Sequence, residues 1–157
     1  MLIVMRGLPG SGKSTWAAAR VAADPHGTAV VSRDHYRMML HATEFPVDGI
    51  MEEEITELEA DAVVRLLAQG HTVIVDDTNL PHRRVREWLG LAEGSGAQWR
   101  VEDLTGVPLE TCLERNRARE RRVPEEIITG WHAQFISGGR ARPKVWEPIP
   151  GTVGNLP

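Results

Sequence analysis

The chain has 157 residues, a length typical of a single domain, and a domain of this size buries roughly 70% of the surface of its unfolded chain. Its 18 lysines and arginines and 22 aspartates and glutamates give a formal net charge of −4, which argues against a general nucleic-acid coat protein or a membrane-surface binder. One cysteine excludes a disulfide framework and the usual zinc spacing. The five apolar residues before Arg6 are too few for a signal peptide or a membrane span, so we expect a cytoplasmic protein with no membrane partner.

The first motif along the chain is a phosphate-binding loop. Residues 7–14 read Gly-Leu-Pro-Gly-Ser-Gly-Lys-Ser, between an apolar run at 2–5 that predicts a strand and a helical pattern at 15–23. In such a loop Lys13 reaches the outer phosphates of a nucleotide, and the Ser14 hydroxyl is a ligand for Mg²⁺. A glycine-rich turn that binds nothing is the alternative. We predict an ATP site with Mg²⁺, built from Gly7, Pro9, Gly10, Ser11, Gly12, Lys13, Ser14 and Thr15.

A second strand is predicted at 28–32, and it is followed by Arg33-Asp34-His35-Tyr36-Arg37. Parallel α/β sheets bind ligands beyond the carboxyl ends of their strands, where the phosphate loop also lies. Asp34 is therefore a candidate to face the γ-phosphate, with Arg37 one helical turn later on the same side. A helix cap followed by a solvated arginine explains the same residues equally well.

The longest helical pattern covers residues 50–69, with apolar residues at spacings of three and four. Glu52, Glu53, Glu54 and Glu57 lie near its start, where the helix dipole favours negative charge. We expect these four carboxylates to be solvated rather than to form a metal site.

The third predicted strand, 71–75, ends in Asp76-Asp77-Thr78-Asn79. Carboxylates at a strand end beside a phosphate loop hold Mg²⁺ through water or orient an arginine, and we expect at least one of the two aspartates to do so. The alternative is that one of them, or Asn79, only caps the helix predicted at 81–93. A fourth strand is predicted at 98–104.

An arginine-rich segment follows the helix that Pro108 opens. It has five arginines in eight residues at 115–122, and Val123-Pro124 ends it before another helix. We predict a lid at about 115–124 that closes over the triphosphate, excludes water and brings positive charge to the transferring group, with Arg119 as the transition-state arginine. A solvated charged face is the alternative.

The order of these elements predicts an α/β fold of the P-loop kinase type, with a parallel sheet of four to five strands flanked by helices and a helical arginine-rich lid. The kinase domain is expected to cover residues 1–136. Residues 137–157 are rich in glycine and proline and predict an extended tail, with Trp146 as the side chain that would hold it to the domain. The Asn-Lys-x-Asp segment of GTP-specific proteins does not occur, which favours a small kinase with Asp34 as the general base.

Several blocks together resemble phage-type polynucleotide 5′-kinase. They are Gly-x-Pro-Gly-Ser-Gly-Lys-Ser-Thr-Trp-Ala at 7–17, Arg-Asp-x-Tyr-Arg at 33–37, Asp-Thr-Asn-Leu at 77–80, Arg-Arg at 83–84, and Arg-Asn-x-x-Arg followed by Val-Pro at 115–124. The resemblance covers about residues 1–136. It implies ATP-dependent transfer of the γ-phosphate to the 5′-hydroxyl end of DNA or RNA.

The resemblance also implies roles for individual residues. The residue matching Asp34 is the general base, the one matching Arg37 binds the acceptor's adjacent phosphate, and the one matching Asp77 supports that arginine and the acceptor nucleoside. The residue matching Arg119 contacts the donor phosphates, and the one matching Arg115 lies near the adenine. The predicted catalytic residues are Lys13, Asp34 and Arg119, and the predicted acceptor-binding residues are Arg33, Asp34, Arg37, Asp77 and Asn79.

The chain departs from the family pattern in three places. His35 stands where a second acid is usual, Asp76 adds an acid before Asp77, and the segment between Arg119 and Val123 is one residue short. The Asp-x-Asp-Gly-Thr segment of a 3′-phosphatase does not occur, so we expect kinase activity without 3′-phosphatase activity. The competing hypotheses are a kinase of a sugar, nucleoside or antibiotic, and a nucleotide-dependent regulatory protein that transfers no phosphate. The sequence leaves the oligomeric state and the choice between DNA and RNA ends open.

Overall fold

The computed structural model describes residues 1–43, 45–46 and 48–138. Its strands are β1 (Leu2–Arg6), β2 (Thr28–Val31), β3 (Thr72–Val75) and β4 (Trp99–Asp103). Its helices are α1 (Lys13–Ala23), α2 (Arg33–His41), α3 (Gly49–Ala68), α4 (His82–Gly94), α5 (Leu109–Arg117) and α6 (Glu125–His132), and a π-helical turn, Ala133–Ser137, follows α6 directly.

The four strands form one parallel sheet in the order β2-β3-β1-β4. Its register pairs Leu2 with Val73 on one side and with Trp99 on the other. All five residues of β1 are buried, as expected for the central strand of a sheet covered on both faces. The chain leaves β1 at the carboxyl edge where the strand order reverses, and this is where open α/β sheets bind ligands.

Alternate residues of β1 support opposite faces of the sheet. Leu2 and Val4 join a core formed with helices α3 and α4, including Val63 and Trp88. Ile3 and Met5 pack with Ala17 of α1 on the other face. A third cluster places Leu8 of the phosphate loop against Cys112, Leu113 and Ile128, so the loop packs on helices α5 and α6.

The predicted α/β class and parallel sheet are confirmed, with four strands among the described residues. The arginine-rich segment is less helical than predicted, because α5 ends at Arg117. Buried Asn116 explains this end: its amide donates to the Val123 carbonyl at 2.8 Å, and its carbonyl oxygen accepts from the Val123 N–H at 3.0 Å. These two bonds close residues 117–122 into a loop.

Most of the predicted tail, including Trp146, lies outside the described residues. No helix in the described ranges combines the length and the apolar character that crossing a bilayer requires.

Candidate active site

The phosphate loop connects β1 to α1, and its glycines adopt conformations that other residues avoid. Gly10 has φ 85°, and Gly12, at the start of α1, has φ 101°. A Cβ at Gly10 would lie 2.2 Å from the Cys112 carbonyl oxygen, so the loop packs directly on α5. The first turn of α1 carries no acidic side chain, and no side chain caps its N-terminus. Its N–H groups are therefore available to an anion.

Lys13 is buried at the centre of the loop. Its ammonium group donates to the carbonyls of Gly7 at 3.0 Å and Leu8 at 2.9 Å, which leaves its third N–H for a ligand. Burial lowers the pKa of Lys13 to about 8, although the charge of Asp76 opposes this change. A phosphate bound here would stabilise the charged ammonium.

A cavity of about 430 Å³ opens beside Lys13. Six cationic side chains and three carboxylates of the described residues line it, so it has an excess of positive charge suited to anionic ligands. The charged lining residues are Lys13, Arg33, Asp34, Arg37, Asp76, Asp77, Arg84, Arg119 and Arg121. Lys13 and Asp34 therefore line the same cavity.

Asp34 and Arg37 lie one turn apart at the start of α2. The Arg37 guanidinium donates to Asp34 Oδ1 at 2.7 Å, and it makes two further 2.7 Å bonds to Glu52 on α3. Burial alone would lower the pKa of Arg37, but its hydrogen bonds to Glu52 and the nearby negative charges raise it. Arg37 is thus a fixed cation, and three of its five N–H groups are used within the protein.

Glu52 corrects the prediction that the acidic start of this helix is solvated. Glu53, Glu54 and Glu57 are exposed as expected, but Glu52 is half-buried and pairs with both Arg33 and Arg37. Thr56 and Glu59 lie one and two turns further along α3 and also accept hydrogen bonds from Arg33. Their spacing of four and three residues was visible in the sequence, but the arginines that they meet were not.

The Asp77 side chain supports α2 by bonding to the backbone of its first residue, Arg33. Its Oδ1 accepts the Arg33 N–H at 3.1 Å, and its carboxyl group lies beside that of Glu59, which is completely buried. Burial, reinforced by the charge of Asp77, raises the pKa of Glu59 to about 9. Glu59 Oε1 has no donor among the described residues, so a proton shared between the two carboxyl groups satisfies both. Among the hydrogen bonds described, Arg37 donates to Glu52 and Asp34, and Asp77 acts on Arg37 through its charge.

Arg33 and Asn79 use their side chains within the protein. Arg33 points to α3, where Glu52, Thr56 and Glu59 accept its hydrogen bonds. The Asn79 amide donates to the Met5 carbonyl, and its carbonyl oxygen accepts from the Trp88 indole. Asn79 thus ties the end of β1 to α4 and does not cap that helix, whose first residue follows Pro81.

Ser14 and Asp76 suit a divalent cation bound to a nucleotide. Ser14 is exposed in the first turn of α1, and Asp76 Oδ1 is buried with no hydrogen-bond partner among the residues described; both residues line the cavity beside Lys13. Within the described part of the chain, no three His, Cys, Asp or Glu side chains form a metal-binding group. The residues therefore fit an ion such as Mg²⁺, which keeps several waters and takes much of its coordination from phosphates.

A second cavity, of about 610 Å³, lies on the other side of the phosphate loop beside α1. Its lining comprises Gly10, Gly12, Thr15, Trp16, Ala19, Arg115 and Arg119. Arg115 reaches the Gly10 carbonyl with a long 3.4 Å bond, and Arg119 lines both cavities. Ser11 Oγ is buried in the loop with no partner among the described residues. The predicted donor residues and acceptor residues are thus distributed over two spaces that meet at Arg119.

A family model described as an AAA domain matches residues 2–137. The chain is 29% identical over 143 residues to an L-seryl-tRNA(Sec) kinase of Methanococcus maripaludis, covering 88% of this chain and 54% of the relative. It is 30% identical over 149 residues to a protein of Autographa californica nuclear polyhedrosis virus that is provisionally described as a bifunctional polynucleotide kinase/RNA ligase, covering 86% of this chain and 21% of the relative.

A solved structure of the Pnkp1/Rnl/Hen1 RNA repair complex contains a chain with the same fold. The TM-score is 0.73 at 26% identity, and the match covers 85% of this chain and 43% of that one. These findings agree with the predicted polynucleotide-kinase-type P-loop domain. The present chain spans about half or less of the length of each of these relatives.

Proposed function

Since this chain belongs to the AAA domain family, whose model matches it over residues 2–137, we propose that it is an ATP-dependent polynucleotide 5′-hydroxyl kinase. It would transfer the γ-phosphate of ATP to the 5′-hydroxyl end of DNA or RNA. The observation that carries this proposal is the shared cavity in which Lys13 of the phosphate loop faces Asp34, with Arg37 bonded to the same carboxylate.

In the proposed reaction the acceptor oxygen attacks the γ-phosphorus while the bond to the β,γ-bridging oxygen breaks. Asp34 accepts the proton of the 5′-hydroxyl, and ADP leaves with the electron pair of the broken bond. Lys13 and Arg119 stabilise the negative charge that develops on the transferring group. The charge of Lys13 is fixed before the reaction because the loop backbone holds its ammonium group.

The acceptor is held beside Asp34 by Arg37, which binds the phosphate that follows the terminal nucleotide. Its two unused N–H groups are sufficient for a bidentate contact to phosphate oxygens. Glu52 keeps the guanidinium in this orientation, and the contact of Asp77 with the Arg33 N–H fixes the start of α2. Arg33, Asp77 and Asn79 therefore act on the acceptor through the elements that they hold.

Mg²⁺ would be held by the Ser14 hydroxyl and, through water, by Asp76, and when bound it neutralises phosphate charge. The adenine would occupy the cavity beside α1, with Arg115 near the base and Thr15 in its lining. Residues 115–124 act as the lid, residues 1–136 form the kinase domain, and residues 137–157 form the tail.

A panel of acceptors tests this function. With γ-labelled ATP, we expect label on oligonucleotides that have a 5′-hydroxyl and none on those that already carry a 5′-phosphate. Arg37→Ala should weaken use of the oligonucleotide more than binding of ATP. Transfer to sugars, nucleosides or antibiotics instead would establish the small-molecule kinase, and ATP binding without transfer to any acceptor would establish a regulatory protein.

A further inference from the structure

Arg121 makes a contact that a lid serving only the donor does not explain. It lies in the loop between α5 and α6, and its Nη1 donates to Asp34 Oδ2 across 87 residues of sequence. Two residues earlier, Arg119 lines both the cavity beside α1 and the cavity beside Lys13, whereas Arg121 lines only the cavity beside Lys13 among the two described cavities. Its contact with Asp34 therefore places Arg121 beside the predicted general base.

The contact adds a second arginine to the predicted general base, so each of its carboxylate oxygens accepts a hydrogen bond. Arg37 donates to one carboxylate oxygen of Asp34, and Arg121 donates to the other. An incoming hydroxyl bonds to the same carboxylate, so the entering acceptor and the two arginines compete for the space around Asp34. Arg37 is 8% exposed and held twice by Glu52, whereas the Arg121 side chain is 31% exposed and lies on a loop. Arg121 is the one that can exchange.

Phe45 provides a second anchor for Arg121 on this side of the cavity. The Arg121 guanidinium lies 5.5 Å from the centre of the Phe45 ring, a cation–π distance. Phe45 is 54% exposed and lines the same cavity as Asp34. Because the ring holds the guanidinium by its face, the N–H groups at its edge stay directed at ligands in the cavity when Asp34 is released.

We propose that Arg121 is an acceptor-binding residue of the lid. Without acceptor it pairs with Asp34, and when a 5′-hydroxyl end enters it transfers its hydrogen bond to the phosphate that follows the terminal nucleotide. The carboxylate of Asp34 thus occupies Arg121 until the anion of the acceptor replaces it. This inference rests on the proposed function, because it takes the acceptor to be a nucleotide with a phosphate near the reacting hydroxyl.

Kinetics with two acceptors tests the proposal. One acceptor is a nucleoside 3′-monophosphate and the other is the same nucleoside without phosphate, each assayed as a substrate and as a competitor of a 5′-hydroxyl oligonucleotide. Arg121→Ala should weaken binding of the phosphorylated acceptor by about tenfold or more, the usual effect of losing a charged hydrogen bond. Binding of the plain nucleoside and the KM for ATP should stay close to their wild-type values.

Arg122→Ala is the matched control. Arg122 is an exposed arginine in the same loop whose described hydrogen bond goes to the Arg119 carbonyl, so its loss removes the same charge without touching Asp34. A second variant, Arg121→Lys, should recover part of the phosphate preference because it keeps the charge.

Three results would overturn the assignment of Arg121. They are an equal loss for both acceptors, a raised KM for ATP with unchanged acceptor binding, and behaviour identical to Arg122→Ala. In each case wild-type transfer to the oligonucleotide would leave the proposed function standing. A wild-type protein that phosphorylates no 5′-hydroxyl acceptor would overturn both proposals.

Discussion

Glu52 accepts two hydrogen bonds from Arg37, from Nε to Oε1 and from Nη2 to Oε2, each 2.7 Å long. This bidentate pair joins the first turn of α3 to α2, one turn after Asp34. Bidentate arginine–carboxylate pairs fix orientation as well as charge. The orientation of the proposed acceptor-phosphate ligand is therefore set by a carboxylate on a different helix.

We predict that Glu52→Gln raises the KM for a 5′-hydroxyl oligonucleotide by about tenfold, the usual effect of losing a hydrogen bond between charged groups. The KM for ATP should not change, since Glu52 contacts no residue of the phosphate loop among the hydrogen bonds described. Steady-state kinetics with each substrate varied in turn measures both constants. Glu53→Gln, an exposed change in the same helical turn, is the control and should leave both unchanged. Equal increases in the two constants would show that Glu52 only maintains the fold.

The lowered pKa of Lys13 predicts that the protein takes up a proton when it binds ATP. Its pKa is about 8 in the nucleotide-free protein because it is buried, and the phosphates of ATP should raise it. Above pH 8 part of the protein must therefore gain a proton to bind ATP, and affinity should fall as the pH rises further. Titration calorimetry at pH 8.5, in buffers of different ionisation enthalpy, measures this uptake. Lys13→Arg should abolish the uptake, since an arginine is always charged, and uptake that persists in this variant would assign the proton to another group.

The raised pKa of Glu59 predicts that the stability of the protein falls as the pH rises. Its pKa is about 9 in the folded protein and near 4.5 when unfolded, so the folded state binds more protons between these values. The free energy of unfolding should therefore decrease as the pH increases through this window. Glu59→Gln imitates the protonated acid, and urea denaturation from pH 5 to 9 should show a shallower dependence. Glu57→Gln, an exposed change on the same helix, should keep the wild-type slope. Identical slopes in all three proteins would mean that Glu59 is ionised in the fold.

Much of this fold is predictable from its sequence because the signals are local. The apolar run of β1, the glycine loop and the helix after it follow each other within 23 residues, and they specify the phosphate site together. The position of Asp34 near the phosphate loop is also predictable, since Asp34 lies shortly after β2, whose carboxyl end is at the same edge of the sheet.

The partners of these residues were not predictable from local signals. Glu52 meets Arg37 and Arg121 meets Asp34 through contacts that span 15 and 87 residues, and nothing near Glu52 or Arg121 in the sequence indicates these partners. Asn116 likewise ends α5 by bonding to Val123, where a helical lid was predicted. The side-chain contacts made in the folded protein decide all three cases.

The close packing of Gly10 against α5 leads to a prediction about the stability of the fold. Gly10→Ala should destabilise the protein by about 1–3 kcal/mol beyond any backbone effect, because its Cβ would overlap the Cys112 carbonyl, which cannot rotate away. Gly70 has nearly the same φ, 86°, and open space around its Cα, so Gly70→Ala isolates the backbone term. Urea denaturation of both variants measures the difference. Equal losses of stability would contradict direct packing of the loop on α5.

In the proposed reaction, Asp34 removes the proton from a 5′-hydroxyl while Lys13 holds the phosphate that the oxygen attacks. Its most direct test is single-turnover transfer of γ-phosphate to a 5′-hydroxyl oligonucleotide by the wild type and by Asp34→Asn. We predict that the substitution slows transfer by roughly 10²–10⁴-fold, the usual contribution of a general base, without weakening the binding of ATP. Transfer at the wild-type rate by Asp34→Asn would contradict the claim.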